Sequence, residues 1–133
     1  MSEIVTVIIP LFNGQQTILR CLDSLKSQTY KNIEVIIVND GSTDCSAELA
    51  KKYIQDNKLN GWQLHTIPNG GVAKARNFGI AMATGEYLCF VDADDYVDVE
   101  YVEKMLSALQ NSRSDFCISG YKRVSYRNGK EEG

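Results

Sequence analysis

The chain predicts an open, doubly wound, mostly parallel α/β sheet flanked by helices, and three observations carry that expectation. Runs of β-branched residues alternate along the sequence with apolar residues set at the helical repeat. The first two runs, Ile4–Ile9 and Ile33–Val38, are apolar at every or nearly every position, as strands buried on both faces are. Each run is followed by a polar, glycine- or carboxylate-bearing segment: PLFNG, NDGSTD, PNGGVAKARN and DADD. Parallel strands joined by right-handed helical crossovers are the economical topology for such alternation, and they put those segments together at the carboxyl ends of the strands, where ligands bind.

The elements follow in order. Ile4–Ile9 reads as the first strand, stopped by Pro10. Ile18, Cys21, Leu22 and Leu25 fall at i, i+3, i+4 and i+7, one apolar side of a helix. Ile33–Val38 is the second strand, closed by Asp40 and Gly41. Ser42 or Thr43 then suits the cap of a helix with Ala47, Ala50 and Ile54 on its inner face. Trp62–Ile67 makes a third, partly alternating strand that includes His65, for which a core or rim place is expected. Pro68–Gly71 is a loop, and Val72–Met82 an alanine-rich helix ended by Gly85. Tyr87–Val91 is the fourth strand. After the acidic turn, Val102, Met105, Leu106 and Leu109 keep the spacing of a helix facing the core, and a last strand is expected within Phe116–Tyr126. One core over residues 1–126 and a frayed polar tail over 127–133 complete the expected organisation.

Composition narrows the function classes. The 133 residues are enough to bury roughly two thirds of the unfolded chain's surface in one core. At 44% hydrophobic and 23% charged the chain is ordinary for a globular protein, and it lacks the run of about 20 apolar residues that a membrane helix needs. Its start has neither a basic stretch nor a small-residue cleavage site, so no signal peptide is expected. The net charge of -3 does not supply the basic field that nucleic acids require. Cys21, Cys45, Cys89 and Cys117 are widely spaced with no C-x-x-C pair, which suits reduced core thiols and a cytoplasmic setting.

The loops carry the chemistry. Asp92 and Asp94 lie two apart on a chain leaving a strand, so one turn can aim both carboxylates into one crevice, where hard oxygens suit Mg²⁺ or Mn²⁺. The plain alternative is a solvated turn in which Asp95 or Asp98 caps the next helix. Asp40, at the end of the second strand, can accept hydrogen bonds from a ribose or a base, although DGS is also a strong turn signal. Phe12 offers a flat face on which a base can stack; Asn13 and Gly14 are equally the residues of a tight turn. In NGGVAKARNFG, backbone N–H groups, a helix start, Lys74 and Arg76 converge in a way that suits a phosphate or a polar base edge. A solvated charged face is the alternative for Lys74.

Taken together, VTVIIPLFNG, CLDSLKSQTYKNIEVIIVNDGSTD and NGGVAKARNFGIAMATGEYLCFVDADD resemble the successive signatures of the family-2 glycosyltransferases, enzymes of the GT-A fold that use nucleotide sugars. The resemblance spans Val5–Met105. It implies that Pro10, Phe12 and Asn13 line a nucleotide pocket and that Asp40 bonds a uracil-like base. It further implies that Arg76 contacts base or phosphate, that Asp92 contacts the ribose and that Asp94 binds Mn²⁺ or Mg²⁺. Position 12 is commonly tyrosine in that family; Phe12 keeps the stacking face and lacks the hydroxyl. The implied reaction is an inverting transfer from a nucleoside-diphosphate sugar, a UDP-sugar by resemblance, to a glycan or lipid-linked acceptor. Such a transfer needs a base that deprotonates the acceptor, and no residue after Asp115 fits except in the polar KEEG end. The chain is therefore expected to be the donor-binding half of a longer enzyme, with any peripheral membrane association supplied by the remainder.

Two other readings stay open at this level. A dinucleotide-dependent oxidoreductase would explain Asp40, but Pro10–Gly14 lacks the G-x-G-x-x-G turn. A noncatalytic nucleotide-sugar-binding module would explain the missing base.

Overall fold

In the computed structural model, residues 3–112 are described. They form four strands and four helices in strict alternation: β1 (Val5–Leu11), α1 (Ile18–Lys26), β2 (Ile33–Asp40), α2 (Ser46–Asp56), β3 (Trp62–Ile67), α3 (Val72–Met82), β4 (Tyr87–Phe90) and α4 (Tyr101–Ser112). The strands make one sheet in the order β3-β2-β1-β4, and every pairing is parallel. This is the doubly wound α/β architecture expected.

Both faces are covered, which is why β1 and β2 are apolar throughout. Val5, Val7, Ile9 and Leu11, with Val35 and Ile37, pack under the inner sides of α1 and α4 in the larger core. The alternate residues Ile36 and Val38 join Ile67 and Ala75 in a smaller core beneath α3. The stripes on the helices behave as their spacing predicts: Ile18, Cys21, Leu22 and Leu25, and Val102, Met105, Leu106 and Leu109, are all buried. Each such side chain taken from water stabilises the fold by about 1.5–3 kcal/mol. In α2, Ala50 is buried, while Ala47 and Ile54 are partly so.

Several boundaries differ from expectation for physical reasons. Pro10 does not stop β1 but sits within it, opposite Val38. Even-numbered residues of β1 turn their backbone polar groups toward β4, as the bond from the Val91 N–H to the Ile8 carbonyl shows. The β1–β4 ladder ends at Ile8 and Phe90, so the N–H that Pro10 lacks would have found no rung there. Gly85 is not the cap of α3, whose helix ends in an extended Ala83. It is glycine because a Cβ would stand 2.6 Å from the Ile4 carbonyl oxygen and from Thr6 Oγ1. Cys21 and Cys89 are buried free thiols, whereas Cys45 is exposed at the start of α2. Cys117 and the strand expected within Phe116–Tyr126 lie outside the described residues.

Two polar side chains, Gln28 buried and Glu34 half-buried, lock elements together. Gln28, 1% exposed, accepts the Val102 N–H at 2.9 Å and donates to the carbonyls of Asp98 at 2.6 Å and Ser24 at 2.9 Å, joining the end of α1 to the start of α4. Glu34 on β2 accepts the Thr6 hydroxyl at 2.6 Å and both the N–H and the hydroxyl of Thr84 at 2.9 and 3.0 Å. Burial disfavours its charge, but those hydrogen bonds outweigh burial and hold the Glu34 carboxyl below its ordinary value. His65 is partly buried on β3, its ring edge-on to Phe78 and its Nε2 2.8 Å from Gln63 Oε1, a rim position as expected.

The seat of α3 depends on one glycine. A Cβ at Gly79 would lie 2.5 Å from Ile8 Cγ2, so helix and sheet touch backbone to side chain at this point. Alanine at an exposed helical glycine stabilises by about 1 kcal/mol. Here overpacking wins, and Gly79→Ala is expected to destabilise by about 1–3 kcal/mol in urea unfolding. A stabilised variant would contradict the packing described.

Candidate functional site

The carboxyl ends of β1, β2 and β3 open onto a pocket of about 270 Å³ lined by Pro10, Leu11, Phe12, Asp40, Asn69, Gly71 and Val72. Phe12 is 52% exposed at its rim and Val72, the first residue of α3, 51%, a large apolar presence beside polar loops. Asp40 is 4% exposed at its floor. Its Oδ1 accepts the Gly70 N–H at 2.8 Å, and its Oδ2 accepts the Gly71 N–H at 3.0 Å and Asn69 Nδ2 at 3.3 Å. The N–H groups of the two glycines, which the sequence offers to a phosphate, are thus given to Asp40. A carboxylate has about four acceptor positions, and these bonds use two on Oδ2 and one on Oδ1. Gly41, at φ 71°, completes the fit, since a Cβ there would meet the Asn69 nitrogen at 2.8 Å.

Asn13 is not among the pocket-lining residues. It adopts φ 50°, a left-handed conformation that asparagine tolerates better than most residues. Its side chain turns toward the β2–α2 loop, where Oδ1 accepts the Thr43 N–H at 2.8 Å and the Asp44 N–H at 3.3 Å. Gln15 Oε1 takes the next N–H of that loop, from Cys45, at 2.9 Å. The exchange is reciprocal. The N–H groups of Asn13, Gly14 and Gln15 bond to Ser42 Oγ at 2.9 Å, Ser46 Oγ at 2.7 Å and Asp44 Oδ2 at 3.2 Å. Ser42 and Thr43 are therefore used between loops and do not cap α2. The helix's first N–H, from Ser46, bonds instead to Asp44 Oδ1 at 2.9 Å.

Arg76, Asp92, Asp94 and Asp95 stand together on the β4 side. Arg76 Nη2 lies 3.6 Å from Asp92 Oδ1, and its guanidinium carbon is 5.7 Å from the centre of the Phe90 ring. Lys74 is exposed, its stem lying over Gly70, where a Cβ would come within 2.4 Å of Lys74 Cδ. Asp92, Asp94 and Asp95 each bring a carboxylate oxygen within 4.8 Å of the others. Three hard oxygen donors so placed fit Mg²⁺ or Mn²⁺. Their charge, after burial itself, pushes the thiol of Cys21 far above its ordinary range, so Cys21 stays protonated and packs. The turn runs close to the β1–α1 loop, where a Cβ at Gly14 would lie 3.6 Å from that of Ala93.

Asp95 is the residue that sequence reasoning missed. It does not cap α4; Asp98 Oδ2 accepts the Glu100 N–H at 3.0 Å and takes that role. Asp95 is instead fully buried, because Val91, Ala93, Asp95 and Val97 are all buried while the residues between them are not. That period of two was available in VDADDYV and would have set Asp95 on the inner phase.

Fold and site define an α/β protein with a pocket at the carboxyl ends of parallel strands, edged by an aromatic ring and floored by a buried carboxylate, and with an acidic turn at the end of β4. The family model described as glycosyl transferase family 2 matches residues 6–132, and the chain belongs to that family. Over 130 residues, or 97% of this chain, it is 38% identical to the glycosyltransferase GlyG of Streptococcus pneumoniae, but it spans only 42% of that relative. Among solved structures it is similar to S. aureus TarS in complex with UDP-GlcNAc, with a TM-score of 0.73 and 34% identity over 82% of this chain and 32% of that one. It is also similar to the Pyrobaculum calidifontis mannosyltransferase PcManGT in complex with GDP-Man and Mn²⁺, with a TM-score of 0.68 and 27% identity over 79% of this chain and 32% of the other. No helix among the described residues is long and apolar enough to cross a membrane.

The loop exchange has a pH signature. Burial opposes the charge on Asp44, but the hydrogen bonds from the Ser46 hydroxyl, the Ser46 N–H and the Gln15 N–H outweigh it and hold the carboxyl below its ordinary value. A lowered folded value means stability that is complete above the unfolded value, about 4, and lost as pH falls through the folded one. Asp44→Asn is expected to flatten the acid limb of stability below about pH 4 in urea titrations at stepped pH. An unchanged acid limb would show that the carboxylate does not carry these bonds.

Proposed function

We propose that this chain binds the donor of a metal-dependent, inverting sugar transfer from a nucleoside-diphosphate sugar, UDP-linked, to a hydroxyl of a glycan or lipid-linked acceptor. The observation that carries the reading is the conjunction of an aromatic rim, a buried acceptor and a carboxylate trio at the carboxyl ends of adjoining strands. Phe12 stacks on the base, and the acceptor position left on Asp40 takes a base N–H. Pro10 closes the wall beneath the ring. Arg76, held beside Asp92, meets the ribose–phosphate part of the donor with Asp92 itself as an acceptor for ribose hydroxyls. Asp94, exposed at the tip of the turn, and Asp92 and Asp95 behind it would hold Mn²⁺ or Mg²⁺. Such an ion, when bound, neutralises the charge that develops on a departing diphosphate. The complexes of TarS with UDP-GlcNAc and of PcManGT with GDP-Man and Mn²⁺ support this class of ligand.

Family membership sets aside the dinucleotide-dependent oxidoreductase. Titration calorimetry with UDP in the presence and absence of Mn²⁺ tests the proposal. Metal-dependent binding is expected, weakened by about tenfold or more in Asp94→Ala, which is about 1.4 kcal/mol. Binding that ignores both the metal and Asp94 would contradict it. Donor binding with no transfer or hydrolysis in a radiolabelled-sugar assay would favour the noncatalytic binding module.

A further inference from the structure

We propose that Asn13 is a positioning residue that sets the width of the nucleotide pocket without touching the nucleotide. The proposal rests on the donor-binding reading above. The β1–β2 ladder ends at Leu11 opposite Asn39, one residue before Phe12 and one before Asp40. Beyond that rung no backbone pairing holds the two walls together. The side chains replace it: Asn13 Oδ1 accepts the Thr43 and Asp44 N–H groups, and the Asn13 N–H bonds in return to Ser42 Oγ at 2.9 Å. Phe12 is one residue from one end of this clasp, and Asp40 is two from the other.

The left-handed turn at Asn13, φ 50°, bends the chain immediately after Phe12, and the Asn13 side chain bonds to the β2–α2 loop. An aromatic ring that is 52% exposed has little packing of its own to hold it. With the clasp closed, ring and carboxylate face each other before ligand arrives, and binding does not have to order them. With it open, the nucleotide must order both loops, and affinity falls.

Three variants separate positioning from contact. Asn13→Gly keeps the left-handed backbone and deletes the acceptor oxygen. Asn13→Asp keeps the backbone and the acceptor but lacks the amide donor. Ser42→Ala cuts the clasp from the other side. In calorimetry with UDP and Mn²⁺, Asn13→Gly and Ser42→Ala are each expected to weaken binding by ~10-fold, and the double variant by no more than the worse single one, because both open the same clasp. Asn13→Asp is expected to stay within about threefold of the wild type. Wild-type affinity in Asn13→Gly would overturn the proposal while leaving donor binding intact. So would weak binding by both Asn13→Gly and Asn13→Asp beside an unaffected Ser42→Ala, which would mean that the amide touches the ligand. Failure of the wild type itself to bind UDP overturns the donor-binding reading and this one with it.

Discussion

The pocket rim at the carboxyl ends of β1, β2 and β3 hangs on the end of β2 and the loop after it. Parallel strands leave their last backbone groups without ladder partners, and a loop that must also stay open to a ligand cannot bury them in packing. The β2–α2 loop resolves this by bonding sideways in both directions. Toward β1, three consecutive N–H groups are given in each direction between residues 13–15 and residues 42–46. Toward β3, the Asp40 carboxylate gathers the N–H groups of Gly70 and Gly71. Three loops that are far apart in sequence thereby become one rim.

The acidic turn is held by different means, and the difference suits its chemistry. Its base is pinned from below, by Gln28 binding the start of α4 and by the buried phase of Val91, Ala93, Asp95 and Val97. At its tip the Asp94 side chain is exposed while Arg20 Nη2 donates to the Asp94 carbonyl at 3.4 Å, and Arg76 lies 3.6 Å from Asp92 with both side chains partly in water. An ion pair of that kind is worth at most about 1 kcal/mol, so it neutralises charge without closing the cluster to a stronger cation.

Much of this was legible in the sequence because local and global demands agree there. The both-face apolar runs placed β1 and β2, and every residue named on the stripes of α1 and α4 is buried, though Tyr101 of α4 is buried as well. Val72–Met82 and Trp62–Ile67 were placed to the residue. What escaped were features set by a neighbour distant in sequence. Pro10 can lie inside β1 only because β4 is short, and Gly85 is required by Ile4 and Thr6, more than 75 residues before it. The roles of Asn13 and Asp44 follow from an exchange between two loops about 30 residues apart, to which no periodicity points. Asp95 was readable in principle, but its neighbouring carboxylates masked the alternation.

The claim that the rim is built before any ligand arrives has a direct measurement: amide hydrogen exchange on the ligand-free protein, resolved at Asn13, Gly14, Thr43, Gly70 and Gly71. The account predicts that these loop amides exchange far more slowly than free peptide, with protection that nucleotide raises only modestly. Exchange at the free-peptide rate, with protection appearing only on addition of nucleotide and metal, would contradict it.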